Sequence, residues 1–133
     1  MIDFQELNVF AVIAGGILYM LFGALYYSPV VFGKTWTVLN GARMSEYSDA
    51  LKYGMSAVTA FATSFLVAVI MAASGADTVT EGLTIGVMLS VLLSLAYLKN
   101  MLFGLMPKKA YSIAVGDHVV MFILLSVLHA VWK

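Results

Sequence analysis

The chain has no cysteine, and only 11% of its 133 residues are charged, against roughly 25% in an ordinary soluble domain. Without cysteine it holds neither a disulfide scaffold nor a thiolate metal site. Seven Lys and Arg balance seven Asp and Glu, so no basic face for nucleic acid is expected. The two histidines, His118 and His129, stand 11 apart and give no metal-ligand spacing. None of the serines sits in a strand–turn–helix nucleophile motif. The expectation is a chain with no catalytic set, no metal and no cofactor. What it has in abundance is apolar surface: 62% of residues are hydrophobic and the mean hydropathy is +0.99. A disordered chain needs the opposite. A soluble single domain of this length would lack the polar groups to cover itself.

Crossing a hydrocarbon core of ~30 Å takes about 20 apolar residues at 1.5 Å each. Four runs qualify, at about 9–27, 53–74, 79–98 and 110–132. The first two are uncharged. The third has only Glu81, in its first turn. The fourth holds Asp117, His118 and His129. The fold class expected is therefore all-α: an integral membrane protein of four transmembrane helices in a single domain, 1–133. Ser28-Pro29 ends the first helix, because the residue before proline is pushed out of helical geometry. The same pair can open a short interfacial helix at about 29–40, with Ser28 as cap and Pro29 in its first turn, stopped by Asn40-Gly41. Ser45 is the expected cap of the second span, with Glu46 and Asp49 near its positive end. Gly75 fits that span's stop, Thr78 and Glu81 match a capping box for the third, and Pro107 closes the third.

Orientation follows from Lys and Arg in the loops. Lys34, Arg43 and Lys52 follow the first span, and Lys99, Lys108 and Lys109 follow the third. The other side has Lys133 alone. Loops 28–52 and 99–109 are expected to face the cytoplasm, with both termini outside and the chain multi-pass in the cell membrane. The N-terminal tail lacks a basic n-region and a small-residue cleavage site, so the first span is read as retained.

Two spans carry small residues at every fourth position: Ser56, Ala60, Ser64, Ala68 and Ala72, then Gly82, Gly86, Ser90 and Ser94. Such ladders let helix backbones approach closely within lipid. They fit packing within one bundle. They equally fit contact with a second copy, and four short helices offer little interior, so a homo-oligomer or a larger membrane complex is expected.

Asp117-His118 carries the most chemical information. At that depth a carboxylate facing lipid is costly, so it must face the bundle and find a partner. Lys99 is the basic residue nearest in depth. Asn100, Tyr97 and Tyr111 lie at similar or shallower depth, and Tyr26, Tyr27 and Ser28 end the first span on the same side. Together these residues form a candidate polar pocket. Asp117 reads either as a structural tie between helices or as a proton- or ion-handling group. His118, adjacent on the helix, points about 100° away. His129, near Trp132, is read as an interfacial residue.

The segment Phe22-Gly23-Ala24-Leu25-Tyr26-Tyr27-Ser28-Pro29-Val30-Val31-Phe32-Gly33-Lys34-Thr35-Trp36 resembles the signature of the domain of unknown function 1761 family of small bacterial four-span membrane proteins. Gly116-Asp117-His118 stands where that family often carries a Gly-Tyr-His-like polar group. The resemblance implies four spans and a bacterial inner membrane. It implies no substrate, cofactor or reaction. Within the motif, Pro29 turns the chain at the interface, Gly33 allows close contact, Lys34 snorkels and Trp36 anchors at headgroups.

Two functions are consistent with these features. One is a non-catalytic membrane component, an oligomeric building block or accessory subunit, whose partners are the lipid bilayer and other membrane proteins. The alternative is a small proton- or ion-coupled permease or channel using Asp117 and Lys99.

Overall fold

The structure, a computed structural model, describes residue 4 and residues 7–40 and 47–133. Its helices are α1 (Val9–Tyr26), α2 (Gly33–Asn40), α3 (Asp49–Ser74), α4 (Val79–Leu102) and α5 (Lys108–Val131). No strand occurs among the described residues. Four of the helices are long and apolar enough to cross a membrane. The expected span boundaries hold to within a few residues, except that α3 and α4 each run four residues further toward the end bearing α2.

Each helix start has a local cause. The Asn8 side chain accepts a hydrogen bond from the Ala11 amide at 3.1 Å and caps α1. Ser48 caps α3 through the Leu51 amide, so the helix begins at Asp49 and Ser45 is not its cap. Ser45 and Glu46 themselves, like Gly41 and Arg43, lie outside the described residues. Asp49 occupies the first turn of α3 and pairs with Lys52 at 2.7 Å. Gly75 ends α3 at φ 70°, the left-handed stop that glycine adopts without a Cβ penalty. Thr78 and Glu81 form the capping box of α4, with the Glu81 carboxylate accepting from the Asp77 and Thr78 amides.

The elbow after α1 differs from the expectation. Ser28 and Pro29 do not open a helix. Residues 29–32 form turns, and α2 starts only at Gly33. The Ser28 carbonyl, not its hydroxyl, accepts the Gly33 amide at 2.8 Å. A Cβ at position 33 would collide with the Tyr27 and Ser28 backbone. Gly33 thus serves the elbow's own closure, not contact with another helix.

The long helices alternate in direction, which defines an elbow end (the α1–α2 elbow and the α4–α5 turn) and a cap end (Asn8, Gly75 and Trp132). Two antiparallel pairs, α1 with α3 and α4 with α5, join through α5, which also packs on α1, α3 and α2. The ladders are what let the backbones approach. A Cβ at Gly86 would lie 2.8 Å from the Ile123 Cα, and one at Gly82 would lie 2.8 Å from the Val127 Cα. Ser90 is buried beside them and returns its hydroxyl to the Gly86 carbonyl at 2.7 Å. On α3, Ala60, Ser64 and Ala68 are buried, while Ser56 and Ala72 at the ladder's ends are exposed. Ser64 meets Gly15 of α1, where a side chain at 15 would collide with its hydroxyl. The apolar core gathers Val67, Met71, Met121 and Leu125, with Phe22, Ile85, Leu89 and Phe122 packed against it, while many other large apolar side chains are exposed, as lipid-facing helices require.

Candidate functional site

α5 is the most buried helix, and it brings the polar residues inward. Along it the buried positions Ala110, Ala114, Asp117, Met121, Leu125 and His129 recur at three or four residues, one face of an α-helix. Asp117 sits on that face, 6% exposed, about 13 Å from the helix start at 1.5 Å per residue.

The partners of Asp117 come from α1. The Tyr27 hydroxyl interacts with its carboxyl group. The carboxyl oxygen Oδ1 is buried and, among the described residues, has no hydrogen-bond partner. One turn earlier on α5, the Tyr26 hydroxyl donates to the Ile113 carbonyl at 2.8 Å. Gly116 makes room for it, since a Cβ there would strike that hydroxyl. Tyr26 and Tyr27 are fixed in turn by the elbow: Tyr26 packs on Phe32 with ring centroids 4.8 Å apart, and Tyr27 packs edge-on to Trp36 at 5.4 Å. The Ser28 hydroxyl is buried at the same elbow without a partner.

His118 turns toward the other side of α5. Its Nδ1 meets the Tyr19 hydroxyl of α1 at 2.8 Å, and its Nε2 meets the Tyr97 hydroxyl of α4 at 3.3 Å. The ring stacks on Phe122. A neutral imidazole has one donor and one acceptor nitrogen. One phenol therefore donates and the other accepts, and α1, α5 and α4 are tied in one row. Tyr111 adds a bond from α5 to the Ser94 carbonyl of α4 at 3.3 Å.

Lys99 does not join this cluster. It is exposed, and among the described residues the ion pair within 4 Å is Lys52–Asp49, with none at Asp117. The helix register explains why. Gly86 lies against Ile123 and Gly82 against Val127, so Lys99 falls opposite about residue 110. That is some seven residues, or about 10 Å, from Asp117, and Asp117 faces α1 instead of α4. Asn100 belongs to the same α4 terminus, where its carbonyl accepts the Leu105 amide.

Two residues carry more than their sequence positions suggested. Tyr19 was not singled out, although its spacing of seven from Tyr26 puts both on one helix face and its mid-span position sets it apart from an aromatic belt. His129, near the end of α5, is buried within the bundle. It is 5% exposed, and its Nε2 lies 3.0 Å from the Ser64 hydroxyl, which itself donates to the Val12 carbonyl at 2.9 Å. Among the described residues no group of three or more His, Cys, Asp or Glu is placed to hold a metal ion.

Four membrane-length helices, a short helix after the first and an interior row of phenols, imidazoles and one carboxyl define a small four-span helical membrane protein. Residues 10–130 match the family model described as protein of unknown function (DUF1761), and the chain belongs to that family. No curated protein and no solved structure matches it.

Proposed function

We propose that this protein is a non-catalytic, multi-pass membrane protein that passes protons across the bilayer, with Asp117 as the group that takes up and releases them. The observation that supports this reading is the state of Asp117: a buried carboxyl group on a membrane helix, with His118 and Tyr27 beside it and, among the described residues, one oxygen unpartnered and no ion pair. An acidic group in that position is costly and marks an ion or proton path more readily than a structural tie, which would have satisfied both oxygens. Oδ1 is out of reach of a water-sized probe, so the resting site suits a proton and is too tight for a hydrated metal ion. The chemistry around it, phenols and an imidazole, passes protons through hydrogen bonds.

The oligomeric reading has its own support. α4 packs extensively on α5 alone, and its Leu83, Val87, Met88, Val91 and Leu92 are exposed. A second copy or another membrane subunit would find an apolar face there, beside the bilayer itself. We further propose that both termini lie outside the cytoplasm, as the loop charges indicate.

Reconstitution into liposomes with an internal pH dye tests the main reading. Under a potassium-valinomycin potential, protein-bearing vesicles should take up protons faster than empty ones, and Asp117→Asn should abolish the difference. Equal uptake by wild type, Asp117→Asn and empty vesicles would refute it.

A further inference from the structure

We infer that His129 is a second proton-exchange site, opening at the cap end of the bundle and working in series with Asp117. The inference rests on the reading of Asp117 as a proton-handling group and adds the route to the opposite end.

Asp117, Met121, Leu125 and His129 are spaced by four along the buried stripe of α5, which turns about 40° per step, so His129 stands about 120° round the axis from Asp117 and toward α3. Asp117 and His129 are thus about 18 Å apart along the helix. The two residues between them, Met121 and Leu125, are 0% exposed and form an apolar plug. The chain therefore places one buried titratable group of α5 on each side of a dry barrier.

His129 also has a way out. It lines a cavity of about 220 Å³ at the cap end, with Asn8, Ala72, Gly75, Trp132 and Lys133 among its walls. Among the described residues, Lys133 is the one charged side chain of that lining. α1 contributes Leu7 and Asn8, α3 and its stop contribute Ala68, Ala72 and Gly75, and none of these titrates. From α4, the Glu81 carboxylate is held in its capping box and lines a different cavity, with Ser74 and Thr84.

The hydrogen bonds set the protonation state of the neutral ring. Ser64 has one hydroxyl proton and gives it to the Val12 carbonyl. Toward His129 its oxygen must accept, so Nε2 carries the N–H. Nδ1 then holds the lone pair. Uptake adds one proton to Nδ1 and turns imidazole into imidazolium, with the Nε2–Ser64 bond kept. Release returns that proton to water, so the ring gains and loses charge without breaking its tie to α3.

The test uses full-length protein in liposomes under an imposed potential. His129→Gln keeps an N–H donor for Ser64 and removes the titration, and proton uptake should fall at least tenfold with the unfolding temperature in detergent unchanged. Ala72→Cys provides a second readout that does not alter the histidine. A charged, membrane-impermeant methanethiosulfonate should block uptake when added from the side on which Asp77→Cys is labelled, and not from the other. If His129→Gln conducts like wild type while Asp117→Asn does not, His129 is not on the route and the reading of Asp117 survives. If Ala72→Cys conducts fully after modification from either side, the cap-end opening is wrong. If wild type itself takes up no protons, both readings fall together.

Discussion

Asp117 sets the terms at the residue scale. A buried ion pair that loses one partner leaves the other charge stranded and costs about 3–5 kcal/mol. Among the described residues Asp117 has no cation within ion-pair distance, so Asp117→Asn, close to isosteric, should cost less than about 1 kcal/mol, since no charge is left behind. The measurement is thermal unfolding in mild detergent. The same geometry decides the relation to Lys99. With roughly 10 Å between them and no shared partner, Asp117→Asn and Lys99→Met should add to within about 0.5 kcal/mol. A double variant recovering the loss of either single one would restore the ion pair that the depth of Lys99 alone suggested. That suggestion failed because depth is a single coordinate. Which way Asp117 faces depends on the rotation of α5 about its axis, and this is set by the small residues of α4 packing on Ile123 and Val127. For His129 too, nearness to Trp132 says where along the axis it stands, and its contact with Ser64, 65 residues away, is not legible from that position.

The elements were far more legible. Four apolar runs fixed four helices because hydrocarbon admits little else, and Thr78 with Glu81 marked the start of α4 to the residue. The glycine and serine ladders announced close packing but not their partner, since spacing along one helix says nothing about what lies across from it. The structure gives the α4 ladder to α5. Gly86→Leu should therefore force α4 and α5 apart, because the new Cβ meets backbone and not a movable side-chain tip. Overpacking of this kind costs about 1–3 kcal/mol or more, visible as a lowered unfolding temperature. An unchanged temperature would assign that face to lipid. At the elbow the expected turn at Pro29 and the short helix after it are present, while the expected helix start at Ser28-Pro29 is not. Ser28 and Pro29 turn the chain, and Gly33, which must approach the Tyr27 and Ser28 carbonyls, closes the turn. Gly33→Ala should loosen the elbow that holds Tyr26 and Tyr27 over α5, and reduce proton uptake more than it reduces stability.

For the whole molecule, the absence of cysteine makes topology directly measurable. Asp77→Cys at the cap end should react with an impermeant maleimide on intact cells, while Leu105→Cys at the elbow end should react only after permeabilisation. The opposite pattern would reverse the orientation drawn from the loop lysines. The bundle as a whole is organised around α5, which touches every other helix and carries the half-buried His118, the buried His129 and the buried acid. The apolar plug of Met121 and Leu125 separates the two ends, and the Tyr19–His118–Tyr97 row clasps α1 and α4 across it. The central claim is that Asp117 itself gains and loses a proton. Infrared difference spectra of the reconstituted protein, titrated by pH, measure this most directly. The account predicts a carboxylic-acid carbonyl band that converts to carboxylate as pH rises and is missing from Asp117→Asn; spectra of the two proteins that titrate identically would contradict it.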